Sequence, residues 1–291
     1  MDIFLALEQN VTFLYLSVGF LGLLVGSFLN VVVYRLPIML QNGWRQECLA
    51  FLEQEDSQPT SSEVFNLSQP RSRCPFCDHQ ISALENIPVV SYLFLRGQCN
   101  NCKKTISIRY PLVELITAIL SIFIAIQFGL SIQTGVALLF TWSLICLTLI
   151  DFDTQLLPDS ITLPLLWFAL FASLFGVFVT PQTALIGAIA GYLSLWAVFW
   201  LFKLVTGKEG MGYGDFKLLA AIGALLGWTM LPLVIMLSAC VGAAIGLTLI
   251  LIKGRDKNIP IPFGPYLSIA AFIALIWGEK INNTYLQIMG L

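Results

Sequence analysis

The stretch TGVALLFTWSLICLTLIDFDTQLLPD, residues 134–159, is an apolar run that ends in a cluster of acids. A membrane-spanning helix needs about 20 mostly apolar residues, and residues 134–150 come close to that length. Asp151 follows this run directly. A carboxylate beside hydrocarbon is costly, so an acid in this position is a functional-site hypothesis. The stretch therefore predicts a transmembrane helix that carries a candidate functional aspartate at its end.

The whole chain has the composition of a polytopic membrane protein. Of its 291 residues, 57% are hydrophobic and 11% are charged, whereas a soluble domain carries about 25% charged residues. The candidate spans are residues 12–33, 111–130, 134–150, 160–180, 183–203, 215–230, 231–252 and 261–279. Only Pro232 marks the junction of the sixth and seventh. The sequence predicts an all-α polytopic membrane protein with about eight transmembrane helices.

The distribution of lysine and arginine predicts the orientation of these helices. Residues 1–34 contain neither, whereas residues 35–110 contain eight. The positive-inside rule then places the loop 35–110 in the cytoplasm and both termini on the other side. It also places four acids at the cytoplasmic face: Asp151, Asp153, Asp159 and Asp215.

Three segments follow from this topology. Residues 1–34 are predicted to form the first transmembrane helix, residues 35–110 a small cytoplasmic loop domain, and residues 111–291 a seven-helix transmembrane domain. Within the loop, Trp44–Leu52 could form a short amphipathic helix, and the polar residues 53–72 are typical of an irregular connector. No internal repeat is apparent, and the net charge of −2 gives no sign of nucleic-acid binding.

The loop contains two Cys-x2-Cys pairs, Cys74–Cys77 and Cys99–Cys102. Paired knuckles at this distance are typical of a tetrahedral zinc site. Two disulfides are the alternative, which the reducing cytoplasm disfavours. Because four thiolates fill the coordination shell, the predicted zinc is structural and stabilises a domain too small for its own core. His79 could be a spare ligand or a surface histidine.

A second membrane acid, Asp215, follows Gly212-Tyr213-Gly214 and begins the sixth predicted span. Asp151 ends the third, so the two could face each other at one depth. Two close carboxylates would share a proton, one acting as general base on water while the other binds the scissile carbonyl. The glycines would allow a tight turn and close approach of a substrate backbone. From spacing alone Asp153 could replace Asp151, and a single acid at a membrane edge could instead be a solvated cap or a pairing partner. Asp159, just before the fourth predicted span, has the position of a helix N-cap.

Six motifs run through the chain in one order: Gly26-Ser27-Phe28-Leu29-Asn30, Arg35-Leu36-Pro37, Pro70-Arg71-Ser72-Arg73, Arg109-Tyr110-Pro111-Leu112-Val113-Glu114, Asp151 to Asp159, and Gly212 to Asp215. This set, which covers nearly the whole chain, resembles the type IV prepilin peptidases, the leader peptidase/N-methyltransferases among the intramembrane Gly-x-Gly-Asp aspartyl proteases. The resemblance implies that Asp151 and Asp215 are the catalytic pair. It selects Asp151 over Asp153 because the family acid stands seven residues before a proline, here Pro158. It also implies zinc at Cys74, Cys77, Cys99 and Cys102.

The activity is likewise what the resemblance implies. The family cleaves the basic leader of type IV prepilins or pseudopilins at the cytoplasmic face, for type IV pili or type II secretion. It then methylates the new N-terminal amine with S-adenosylmethionine. The implied location is the bacterial inner membrane, with lipid as surroundings and a homodimer as one possible state. Nothing marks the S-adenosylmethionine site. Asn30, Arg35 and Glu114 are candidates for it or for a substrate groove, with interfacial anchoring or an ion pair as the alternative.

Two other classes of function stay open from the residues alone. A proton-coupled transporter would use membrane acids as a relay, but such acids should be spread through the depth of the bilayer, whereas these gather at one face. A noncatalytic assembly scaffold would use the zinc loop to bind partners, and its aspartates would be dispensable.

Overall fold

The structure is a computed structural model that describes residues 10–52, 65–253 and 262–289. In these residues the regular structure is helical, and the β pairing consists of two isolated antiparallel bridges. The prediction of an all-α protein is therefore confirmed. Residues 53–64, most of the predicted polar connector, lie outside the described part of the chain.

The chain divides into two compact units, Met1–Leu130 and Ser131–Leu291. The three predicted segments, 1–34, 35–110 and 111–291, divide the chain by its expected surroundings, membrane or water. This division stays a prediction. The compact units separate the chain by packing instead. The second predicted span therefore packs with the first span in one unit.

The first unit is built on helices α1 (Val11–Phe51) and α3 (Arg109–Phe128), with a short helix α2 (Val90–Phe94) between them. Glycines on one face of α1 allow the close approach of α3. A Cβ at Gly26 would lie 2.7 Å from Cα of Glu114, and one at Gly22 would lie 2.7 Å from Cα of Ala118. The earlier glycine on α1 faces the later residue on α3, so the two helices are antiparallel.

Helix α1 does not end near residue 34 as predicted, and Trp44–Leu52 is not a separate helix. The helix runs for 41 residues, passes through Pro37 and ends at Phe51. A proline removes one hydrogen bond and crowds the preceding turn, but the following residues include good helix formers such as Met39 and Leu40. A helix of this length measures about 62 Å, twice the roughly 30 Å of a hydrocarbon core. Its second half therefore extends beyond the bilayer.

The second unit contains six helices in the described residues: α4 (Ile132–Thr154), α5 (Asp159–Leu174), α6 (Pro181–Thr206), α7 (Tyr213–Leu226), α8 (Leu231–Lys253) and α9 (Gly264–Met289). Helix α7 is the centre of this unit, since nearly all its residues from Asp215 onward are buried. Helices α5, α6, α8 and α9 all pack against it. At the crossing of α6 and α7, Gly187 and Gly223 lie so close that a Cβ on either would overlap the carbonyl of the other.

All eight predicted spans are helical, but the count of eight membrane crossings is not established. Five helices in the described residues are long and apolar enough to cross a membrane: Val11–Phe51, Arg109–Phe128, Ile132–Thr154, Pro181–Thr206 and Trp228–Thr248. Helix α5 has 16 residues and α7 has 14, which is short for a crossing. Helix α9 is long enough at 26 residues but is not among the five. The protein is nevertheless plainly a membrane protein.

Candidate active site and metal site

Asp151 lies in the last turn of α4, and its side chain is buried. Its carbonyl accepts a 2.8 Å hydrogen bond from Gln155 N–H, and Gln155 adopts a left-handed φ of 54° that ends the helix. Asp153, two residues on, is exposed. Two residues on a helix are about 200° apart, so only one of these acids can face the interior. The helix phase turns Asp151 inward.

Asp215 lies in the first turn of α7 and is also buried. Its carboxylate lies within electrostatic range of the Asp151 carboxylate. Its Oδ1 atom is fully buried and has no hydrogen-bond partner among the described residues. A buried polar atom without a partner is costly. The two acids predicted from the sequence therefore meet in one apolar interior.

A third element of the site, Gly264 at the start of α9, was missed by the sequence analysis. Its N–H donates a 2.9 Å hydrogen bond to Oδ2 of Asp151. A Cβ at this glycine would lie 2.7 Å from that oxygen and 3.1 Å from Cδ2 of Leu157. The available signal was the run Pro262-Phe263-Gly264-Pro265 at the beginning of the eighth predicted span. The glycine leaves the room that the carboxylate occupies.

The glycine before Asp215 also serves packing. Gly214 lies inside α7, and a Cβ there would lie 2.6 Å from Cβ of Leu157. Leu157 thus fills the space left by Gly214 and Gly264. Gly212 precedes the helix with an ordinary φ of −82°. The expected need for glycine in a tight turn is therefore not what this local structure indicates, whereas the expected close approach of a substrate backbone stays a prediction.

Asp159 is not the N-cap that its position suggested. The N-cap residue of α5 is Pro158, and Asp159 is the first helical residue. Both of its carboxylate oxygens accept hydrogen bonds from Lys217 Nζ, at 2.6 and 2.7 Å. Lys217 follows Asp215 by two residues, so this ion pair ties the start of α5 to α7. Because Asp159 is more than half exposed, the pair contributes little stability by itself.

The four predicted metal ligands converge in the first unit. The Sγ atoms of Cys74, Cys77, Cys99 and Cys102 all lie within 4.8 Å of one another. The Sγ–Sγ distances are 3.8 Å for Cys74–Cys102 and 4.0 Å for Cys77–Cys99. Four sulfurs bound to zinc at about 2.3 Å stand about 3.8 Å apart in a tetrahedron. The spacing therefore fits a single tetrahedral metal ion, and the disulfide alternative is not what the structure contains.

The two knuckles are copies of one local structure. Cys74 N–H donates to His79 carbonyl and Asp78 N–H to Cys74 carbonyl; the same bonds join Cys99 to Lys104 and Lys103 to Cys99. Asp78 and Lys103 both adopt left-handed φ, at 54° and 57°. The copies are 25 residues apart and share Cys-x2-Cys-x3-Ile-Ser. The expectation of no internal repeat was therefore wrong, since this short repeat is readable from the sequence.

Backbone groups in the knuckles favour the thiolate forms that bind metal. N–H groups of Cys102 and Asn101 lower the pKa of Cys99 to about 6. The N–H of His79 lowers the pKa of Cys77. Metal ligands must be deprotonated, so the backbone prepares Cys99 and Cys77 for a cation. Burial and the neighbouring sulfurs act in the opposite direction on Cys102 and raise its pKa to about 11.

Glu85 joins the two knuckles to each other. Its carboxylate accepts hydrogen bonds from Ser82 N–H at 2.8 Å and from Asn100 Nδ2 at 2.9 Å. Ser82 and Asn100 together hold the pKa of Glu85 at about 2, well below its usual range. His79 Nε2 lies 3.3 Å from the same carboxylate and is not part of the cysteine cluster. His79 thus faces Glu85, as a histidine outside the metal shell would.

The candidates for a cofactor or substrate groove make contacts within the first unit. Arg35 is buried and donates to the carbonyls of Asn66 and Pro70, at 2.9 and 2.6 Å. Asn30 Nδ2 donates to Tyr110 carbonyl at 3.2 Å. Glu114, buried in α3, accepts from Val89 N–H at 2.8 Å and from the Ser27 hydroxyl. These contacts favour the anchoring alternative.

Comparisons with known proteins agree with this organisation. Residues 20–128 match the family model of the bacterial peptidase A24 N-terminal domain, and residues 138–247 match that of the type IV leader peptidase family. A protein of Stutzerimonas stutzeri is 57% identical over 267 residues, covering 92% of each chain. One of Aeromonas salmonicida is 54% identical over 288 residues, covering 99% of each. One of Pseudomonas aeruginosa is 57% identical over 272 residues, covering 93% of this chain and 92% of its own.

All three relatives bear the name prepilin leader peptidase/N-methyltransferase. No solved structure matches the chain. With identities of 54–57% over nearly its full length, the chain belongs to the type IV leader peptidase family.

Proposed function

We propose that this protein is an intramembrane aspartic endopeptidase with N-methyltransferase activity. It cleaves the leader from type IV prepilins or pilin-like precursors and then methylates the new N-terminal residue. Membership in the family supports both activities, since its relatives carry both in their names. The observation that carries the peptidase half is the burial of Asp151 beside Asp215, with Gly264 donating to one of the two.

The two aspartates have different surroundings, and this supports different roles. Asp151 already accepts a backbone hydrogen bond on Oδ2, which orients the carboxylate as the proton acceptor. Asp215 has a buried Oδ1 without a partner, from which a protonated carboxyl can donate. We therefore assign Asp151 as general base and Asp215 as general acid.

The reaction then needs only these two groups and a water molecule. Asp151 removes a proton from water as the water oxygen forms a bond to the scissile carbonyl carbon. Asp215 donates its proton to the carbonyl oxygen, giving a neutral tetrahedral diol. When the C–N bond breaks, the leaving nitrogen takes a proton from Asp151 and Asp215 recovers its proton from the hydroxyl. The apolar walls strengthen each of these electrostatic interactions.

In the proposed orientation the protein lies in the inner membrane of a bacterium, and both the active site and the zinc loop face the cytoplasm. The eight lysines and arginines of residues 35–110 support this side for the loop, by the positive-inside rule. A basic leader would remain on the same side by the same rule. The leader junction and the two aspartates would thus meet at one membrane face.

We propose zinc for the cysteine cluster and S-adenosylmethionine as methyl donor. Cys74, Cys77, Cys99 and Cys102 would hold the zinc, and four thiolates would make it a structural ion. Glu85, through Asn100 and Ser82, would keep the knuckles in register around it. We assign no residue to the methyl donor, because Asn30, Arg35 and Glu114 each hold a neighbouring segment.

The test is a precursor peptide incubated with purified protein and isotopically labelled S-adenosylmethionine, read by mass spectrometry for cleavage and methylation. Asp151→Asn and Asp215→Asn should each abolish cleavage and leave methylation of a pre-cut peptide intact. Asp153→Asn is the matched control, since it removes an exposed acid from the same turn and should keep cleavage. Cleavage that persists in either active-site variant would refute the assignment.

A further inference from the structure

Between the two knuckles, residues 84–94 expose apolar side chains outside the transmembrane helices. We call this run the 84–94 segment. The exposed fractions are 77% for Leu84, 69% for Leu93 and 84% for Phe94, and Ile87 and Val90 are exposed as well. Surfaces in water seldom gather so many large apolar groups unless the patch binds something. This patch is therefore a candidate for contact with an apolar partner.

The one charged side chain of this segment is turned toward the knuckles instead of solvent. Glu85 is its one charged residue, and the Glu85 carboxylate is turned toward Ser82 and Asn100 of the knuckles. The side chain of Glu85 is only 15% exposed. A segment whose charge is satisfied internally and whose apolar groups point outward is amphipathic in the sense of an interfacial element.

A hydrogen bond fixes the height of the segment relative to a membrane helix. Val89 N–H donates to Oε2 of Glu114 at 2.8 Å. Glu114 is five residues after Arg109, where α3 begins, so it lies about 7.5 Å along the helix axis. It also lies inside the predicted span 111–130. The middle of the 84–94 segment is therefore held at the level of the first turns of a transmembrane helix, where the bilayer surface lies.

Val89 keeps this contact in a conformation that such residues avoid. Its φ is 58°, and a β-branched residue at positive φ is strained. The surrounding structure therefore holds Val89 in place. Because α2 begins at the next residue, Val90, this also fixes the direction of α2.

Positive charge gathers in the part of the loop around the segment, although the whole loop 35–110 holds eight basic and seven acidic residues and has a net charge of only +1. Residues 65–109 hold two acids, Asp78 and Glu85, and six basic residues, which gives a net charge of +4 with histidine neutral; the six are Arg71, Arg73, Arg96, Lys103, Lys104 and Arg109. Basic groups beside an apolar surface are the combination by which peripheral segments bind anionic membranes.

We propose that the 84–94 segment lies in the interfacial layer of the membrane and inserts Leu84, Leu93 and Phe94 among the lipid chains. The zinc-site domain is then docked on the bilayer by its own surface as well as by the helices on either side of it. The ligand is the lipid surface itself, with anionic headgroups beside the basic residues.

Photocrosslinking of the full-length protein in nanodiscs of phosphatidylcholine and phosphatidylglycerol tests this contact. A benzophenone-bearing phenylalanine replaces Phe94 in one variant and Phe76 in the other. Phe76, in the first knuckle, is the matched control because it is an aromatic residue of the same domain and is 63% exposed. Its ring lies beside the Lys104 ammonium group. Mass spectrometry should find lipid adducts at position 94 and a several-fold loss of them at position 76. Phosphatidylglycerol should be over-represented among the adducts relative to its share of the lipid.

Three results would overturn the proposal. Equal lipid adducts at positions 94 and 76 would contradict specific insertion of the 84–94 segment. Adducts without phosphatidylglycerol enrichment would contradict the attraction to anionic headgroups. Adducts at position 94 to protein rather than lipid would show that a protein surface covers the segment. Position 93 repeats the measurement independently, and the zinc content of each variant verifies that the domain is folded.

Discussion

Replacing Gly264 with alanine places one methyl group where the Asp151 carboxylate lies. The new Cβ would stand 2.7 Å from Oδ2 of Asp151, whereas ordinary contacts begin at 3.4 Å. Leu157 Cδ2 lies 3.1 Å from the new Cβ, so the methyl group cannot move away from the carboxylate in that direction. The carboxylate must therefore retreat by about 0.7 Å, the difference between the two distances, and the 2.9 Å hydrogen bond from Gly264 N–H is stretched or lost.

The size of the effect follows from this displacement. A misplacement of about 1 Å at a reacting group can cost about 100-fold in rate. Losing a hydrogen bond to a charged group costs about 1.5–3 kcal/mol, which corresponds to roughly 10- to 100-fold. We expect kcat for leader cleavage to fall by about 100-fold with a much smaller change in KM, because the substrate contacts remain.

The assay follows leader release from a precursor peptide by purified protein, with kcat and KM determined separately. Gly135→Ala is the matched control: it lies in the same helix as Asp151, and no atom stands within 4 Å of its new Cβ. This control should keep wild-type kcat. Thermal unfolding and methylation of a pre-cut peptide verify that Gly264→Ala is folded. A Gly264→Ala enzyme whose kcat matches that of Gly135→Ala would refute the role of the backbone N–H in holding Asp151.

Two further predictions concern stability. Cys74→Ser should lower both bound zinc and the midpoint of thermal unfolding, whereas Cys48→Ser, which removes an exposed thiol from α1, should change neither; lost activity at unchanged stability would contradict a structural zinc. Gly187→Ala and Gly223→Ala should each reduce the yield of folded protein, because the added methyl overlaps the facing carbonyl of the other glycine and forces α6 from α7. The second prediction fails if both variants melt like Gly135→Ala.

Much of the protein could be predicted from its sequence because the signals are local. Apolar runs near the thickness of a bilayer predict where helices form, whatever they later pack against. The cysteine pairs specify their own chemistry by spacing within a tight turn. Asp151 and Asp215 were identifiable because an acid next to hydrocarbon is unfavourable without a purpose.

Other features depended on contacts that no local pattern contains. Which of Asp151 and Asp153 is buried follows from helix phase relative to the core, which spacing alone does not predict. Helix α1 continues through Pro37 although the proline removes one backbone hydrogen bond. Composition alone does not predict whether the rest of the helix is stable enough to offset that loss. Arg35 and Glu114 were read as possible groove residues, yet they hold the backbone at Asn66, Pro70 and Val89.

The sequence by itself determined the helical membrane character, the cysteine cluster and the two aspartates, since these depend on residue type and on spacing over a few turns. Only the tertiary structure decided that Gly264, 113 residues away in the chain, supplies the N–H that holds Asp151. It also decided that Leu157 fills the space left by two glycines. A hydrogen bond and a packing contact between distant residues depend on how the helices pack together. Glycine also has no side chain, so a sequence pattern does not indicate these contacts.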